Sequence, residues 1–212
     1  MTKIIQIAVI VGILSAVGCK RSYFADGGTL PVDRTAILGV STMDYLKNHG
    51  ELFDTLVTLI RINGLEAAVN ANGGTFFAPC NYTINNYLSL VFPDPTKRPT
   101  SLEAIPKEEM DKIAAMLKDY LIPDQPITRD KLASTYSYAT TYGGRKARFN
   151  LVQNDYLGNV NMGAKTIIFS LNTAAPGEKE RYQPVQVATS DLRSTNGTLH
   201  LLISSTHIFG FN

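Results

Sequence analysis

The sequence predicts an α+β domain, and three observations predict it. Apolar residues recur at helical spacing through the first part of the chain, while beyond Ser134 the composition turns to Tyr, Thr, Val, Ile and Phe separated by Gly and Asn. No internal repeat divides the chain, and helices first with strands later is the pattern of an α+β arrangement. Length agrees, because 212 residues less a leader leave a single domain that buries about two-thirds of its accessible surface on folding.

The leader comes first. Ile4 to Val17 is an apolar run behind Lys3, shorter than the roughly 20 residues a spanning helix needs. Leu14-Ser15-Ala16-Val17-Gly18-Cys19 closes it with small residues before a cysteine, and this resembles a bacterial lipoprotein signal rather than an ordinary secretory peptide or an uncleaved anchor. The resemblance implies a leader of residues 1–18, a diacylglycerol on the Cys19 sulfur and a further acyl chain on the new amino terminus. Two or more chains give durable membrane attachment where one does not. Lys20-Arg21-Ser22 carries no aspartate after the cysteine, and the resemblance to enteric sorting rules implies the outer membrane; the sequence does not encode whether the domain faces the periplasm or the cell surface, and the surface is the favoured reading. Residues 19–40 read as the lipidated cysteine and a flexible tether, and residues 41–212 as the domain.

Ser41-Thr42 starts a short helix around Met43 to Lys47, which Gly50 ends. Leu52, Phe53, Leu56, Leu59 and Ile60 then form a helical stripe that Asn63-Gly64 breaks. Leu65 to Val69 predicts a further short helix, and Thr75 to Pro79 a buried strand stopped by proline. Asn81 reads as the cap of a helix running to Val91, before a loop holding Pro93, Pro95, Pro99 and Pro106. Met110, Ile113, Ala114, Leu117 and Leu121 form the stripe of an amphipathic helix over Lys107 to Leu121. Ile127 to Leu132 predicts a last short helix. Strands follow at Tyr136 to Tyr142, Lys146 to Val152, Thr166 to Leu171, Val185 to Ala188 and Thr198 to Ser204.

Composition excludes several functions. The chain carries 20 Lys and Arg against 18 Asp and Glu, and Lys3 leaves with the leader, so a dedicated nucleic-acid binder with a basic face is not expected. With Cys19 lipidated, Cys80 is left alone and no intrachain disulfide forms. Cys80 reads as a partly buried, inert thiol. His49, His200 and His207 have no partners at metal-ligand spacing, and no nucleophile elbow, phosphate loop or dinucleotide fingerprint is present. Neither cofactor, metal nor enzymatic activity is therefore expected. His200 reads as a hydrogen-bonded histidine on a sheet rather than a catalytic base.

Thr75-Phe76-Phe77-Ala78-Pro79-Cys80-Asn81 and Asn196-Gly197-Thr198-Leu199-His200-Leu201-Leu202 lie near the two ends of one domain. Together they resemble the two signature boxes of fasciclin domains, with Cys80 replacing a small polar residue in the first. The resemblance covers nearly all of Thr42 to Phe211 and implies N-terminal helices packed on a mainly C-terminal β-sandwich or wedge. The residues themselves suggest structural roles. Pro79 ends a strand ahead of the Asn81 cap, Asn196-Gly197 supplies a turn that tolerates positive φ, and Leu199, Leu201 and Ile203 alternate into the core. The family's Tyr-His pair, linked in animal members to integrin adhesion, falls at Tyr120-Leu121, where the histidine is missing. Arg-Gly-Asp is also absent, so integrin binding is not expected.

Gly143 to Phe149 is a basic hairpin. Arg145, Lys146 and Arg148, together with Tyr120, form the candidate interaction surface, its chemistry suited to an acidic glycan, a lipid headgroup or a partner protein. The competing reading is a solvated turn whose charges protect a sheet edge. The expected function is a lipid-anchored, non-enzymatic protein-interaction module. Resemblance to fasciclin-domain lipoproteins of Bacteroidetes implies a partner such as an outer-membrane nutrient-uptake transporter or surface lipoprotein. The alternative is a free-standing adhesin for glycan or extracellular matrix.

Overall fold

Helix α1 (Thr42–Asn48) begins where the Ser41 hydroxyl accepts the Asp44 amide, and α2 (Gly50–Ile62) buries Phe53, Leu56, Val57, Leu59 and Ile60 along one stripe. The computed structural model describes residues 36–155, 157–158, 160 and 162–211; the leader, Cys19 and the tether before residue 36 lie outside the described residues. Gly64, at φ +63°, turns the chain after α2 into α3 (Glu66–Val69). Strand β2 (Thr75–Ala78) is buried throughout and runs into α4 (Asn81–Val91).

Asn81 is not the cap that the sequence suggests. Helix α4 starts at Asn81 itself, after Cys80, and the Asn81 amide reaches across to the first turn of α2. It accepts the Thr55 amide at 3.0 Å and donates to the Gly50 carbonyl at 3.2 Å and to the Asp54 carboxylate. A residue expected to satisfy its own helix instead fastens two helices together. Helix α5 (Lys107–Lys118) buries Met110, Ile113 and Leu117 as its periodicity requires, but it ends before Leu121, which opens the short strand β3 (Leu121–Ile122). Ile127 to Leu132 forms only a 3-10 turn over Arg129–Lys131, because other residues take the Ile127 backbone groups.

The remaining strands are β1 (Ala36–Ile37), β4 (Ser137–Thr140), β5 (Lys146–Gln153), β6 (Lys165–Asn172), β7 (Tyr182–Arg193) and β8 (Thr198–Leu202). Ala36 and Ile37, assigned by sequence to the tether, pair in parallel with Leu192 and Arg193 of β7. The sheet order is β3-β2-β8-β7-β6-β5-β4. Strand β7 makes the sheet bend. Its first half pairs with β6 and its second with β8, with register irregularities between Val187 and Leu192 and with Asp191 at φ +61°. The Tyr142 amide then donates to the Leu121 carbonyl at 2.8 Å, linking the far end of β4 to β3 and nearly closing the sheet.

Closure brings Phe77 of β2 against Phe169 of β6 at 4.4 Å between ring centroids and Phe149 of β5 at 5.4 Å. Strands β2 and β8 are parallel neighbours within the sheet, flanked by β3 and β7, and both are largely buried. Leu199, His200 and Leu202 are all buried while Leu201 is only partly so, and the expected alternation of Leu199, Leu201 and Ile203 gives way to near-continuous burial.

Candidate functional site

Both signature segments are built into the frame. Thr75 on β2 donates its hydroxyl to the Gln125 carbonyl and accepts the Ile127 amide, each at 2.8 Å. His200 on β8 donates Nε2–H to the Ile127 carbonyl at 2.8 Å and accepts the Asp191 amide at Nδ1, which fixes its neutral tautomer. Burial lowers the His200 pKa. The two segments thus clamp one loop between them, and Asp191 extends the clamp by accepting the Arg129 amide at 2.9 Å.

Gly197 does not adopt positive φ, contrary to the expectation for Asn196-Gly197. It is glycine because a Cβ there would lie 2.6 Å from the Gly74 carbonyl oxygen. Asn196 works as a staple. Its Oδ1 accepts the Thr42 amide at 2.9 Å, its Nδ2 donates to the Val69 carbonyl and its own carbonyl accepts the Gly73 amide. A crevice of about 210 Å³ runs between the two segments, bordered by Phe76, Ile122 and Thr198 among others.

Tyr120 is fully buried and leaves the candidate surface. Its hydroxyl accepts the Gly210 amide and bonds His207 Nε2, both at 2.8 Å, while its ring stacks on Phe209 and Phe211 at 5.5 and 5.4 Å. Burial pushes His207 down to about 4, so the ring is neutral and Nε2 accepts the phenol proton. The histidine missing at residue 121 is replaced in space by one 87 residues away from Tyr120.

The basic hairpin separates into three different environments. Arg145 pairs with the buried Asp119 at 3.5 Å, and Lys146 pairs with Glu180, whose carboxylate also accepts the Tyr182 hydroxyl at 3.0 Å. The Lys146 ammonium holds Glu180 below the usual carboxylate range. Arg148 has neither an ion pair nor a hydrogen bond among the described residues. Its guanidinium carbon sits 4.0 Å over the Tyr136 ring and 4.3 Å over the Tyr182 ring, with Nε buried and unpartnered.

Strand alternation explains this placement. Ala147 and Phe149 point into the core, so Arg148 points out, and register sets Tyr138 opposite it on β4 and Ser170 on β6. Tyr136 and Tyr138 are 49% and 59% exposed, and Tyr138 meets Tyr182 edge-on at 6.5 Å. The outer face of β4 to β7 is therefore an open platform of three tyrosines around an unpaired cation. The period-two spacing of Tyr136, Tyr138 and Arg148 carries this signal in the sequence. Tyr182 escapes it because Pro184 interrupts the strand pattern; proline is tolerated here since the first half of β7 is a sheet edge.

A family model for the fasciclin domain matches residues 51–204. The chain belongs to the fasciclin family. Fasciclin domains are non-enzymatic modules of cell adhesion and protein interaction. Among solved structures, a fasciclin domain pair from the insect cell adhesion molecule Fasciclin I aligns with 16% identity and a TM-score of 0.48, covering 74% of this chain and 45% of that one. This chain thus spans less than half the length of that structure. No curated protein matches significantly. In this fasciclin domain all three histidines are engaged, since His49 donates a ring N–H to the Tyr45 carbonyl at 2.8 Å. Among the described residues no cluster of His, Cys, Asp and Glu could hold a metal, and no helix is long and apolar enough to cross a membrane.

Proposed function

We propose that this fasciclin domain is a lipid-anchored adhesion and interaction module, held at the outer membrane through Cys19, displayed on the cell surface and working by binding rather than by chemistry. The supporting observation is the platform of Tyr136, Tyr138 and Tyr182 around Arg148 on a family frame whose histidines are all spent on structure. Tyrosine and arginine are the side chains that carry most binding energy at interfaces. The partner on this reading is another envelope protein, such as an outer-membrane transporter in nutrient uptake or a surface lipoprotein.

The test is crosslinking in intact cells followed by isolation of the full-length protein, with Cys19→Ala as the unanchored control. A stoichiometric envelope protein, absent from the control, is the expected result. Recovery of the chain alone in both cases would sink the accessory-subunit reading. Labelled palmitate should enter the wild type and not Cys19→Ala; label in both would refute the anchor. A second reading, a free-standing adhesin for glycan or matrix, is favoured by the polar side chains Thr140, Asn150 and Gln186, which share the face of the platform with Ile168.

A further inference from the structure

Among the described residues, Arg148 is the one basic side chain of the hairpin without an ion pair, the nearby Glu180 carboxylate being bonded to Lys146 and Tyr182. Lys146 and Arg145 are paired with Glu180 and Asp119, so the unpaired cation of the hairpin is the Arg148 guanidinium, between two aromatic rings that hold it in place. A held guanidinium loses little freedom on binding, and its fork matches a carboxylate. Beside it, Tyr138 presents a half-exposed ring to solvent, the kind of flat apolar surface that covers the C–H face of a sugar. Thr140, Asn150 and Gln186 share this face with Ile168. Resting on the adhesin reading above, we infer that this face binds acidic glycans, Arg148 receiving a uronate carboxylate and Tyr138 stacking on a neighbouring sugar ring.

The full-length lipoprotein in detergent micelles would be titrated with polygalacturonate, with the same polymer fully methyl-esterified, and with polyglutamate. Esterification removes the charge and keeps the sugar. Wild type should bind polygalacturonate about tenfold more tightly than the ester, and Arg148→Gln should erase that preference. Tyr138→Ala, at an exposed position that leaves folding intact, should weaken both sugar polymers by about threefold to tenfold. Three results overturn the inference: no binding of polygalacturonate by folded wild type, equal binding of polyglutamate, or an unchanged preference in Arg148→Gln. Equal binding of polyglutamate would identify an acidic protein surface as the ligand instead. An envelope partner recovered by crosslinking with no glycan bound would defeat this inference and leave the anchored interaction module standing.

Discussion

At Tyr120 a phenol and an imidazole close on each other inside the core; at Tyr136 and Tyr182 two phenols close on a guanidinium at the surface. The inner pair is complete. Gly210, Tyr120 and His207 satisfy one another, Phe209 and Phe211 seal the rings, and burial keeps the histidine uncharged. The outer group is incomplete, with a permanent charge that has no ion pair, Glu180 being bonded to Lys146 and Tyr182, and with the Tyr136 ring open to solvent. The same residue types thus complete one another in the core and leave a polar atom without a partner at the surface, where the proposed recognition would take place.

The most severe challenge to that division is Tyr120→Ala against Tyr138→Ala. Emptying the core position should destabilise by about 3–5 kcal/mol, while the surface change should stay within about 0.5 kcal/mol. Urea unfolding measures both, and equal losses would break the contrast.

A pH series sharpens it. His207 sits at about 4 in the folded protein and near 6.5 when unfolded, so between those values the unfolded chain binds a proton that the native one refuses. Stability contributed by the neutral ring is present above the unfolded value and is lost as pH falls, by about 3 kcal/mol at pH 4. His200 acts in the same direction. His207→Gln should flatten the slope of unfolding free energy between pH 6.5 and 4, and Arg148→Gln should leave it unchanged.

Gly197→Ala tests the frame itself. The new methyl would meet the Gly74 carbonyl, so a loss of about 1–3 kcal/mol is expected by thermal unfolding, with the outer platform still able to bind. A smaller effect than at Gly197 belongs to Arg148→Gln, which removes the stacked cation and should alter stability by no more than about 0.5–1 kcal/mol. A larger loss would mean that Arg148 holds the sheet together, and the platform would then belong with the inner pair.

The helical stripes of α2 and α5, the strand and helix joined at Pro79, and the two signature segments were legible because each depends on neighbours a few residues apart. Even there, local chemistry misled at particular positions. Asn81 is a good cap by type and was used across helices, and Gly197 reads as a turn glycine although it is needed for the close approach of Gly74. The family motif points to Tyr120 as a surface residue, and nothing local reveals that sheet closure buries it. Arg148 is legible as a candidate, yet its lack of an ion pair depends on Glu180 being occupied by Lys146.

By itself the sequence determined the order of helices and strands, the family frame and, through Cys19 and the segment before it, an expected address. These rest on periodicity, turn chemistry and short motifs, which act over single turns and neighbouring residues. Only the tertiary structure decided which histidine meets Tyr120 and which basic residue stays unpaired, because both follow from how β7 bends the sheet and from strand register that brings distant residues together.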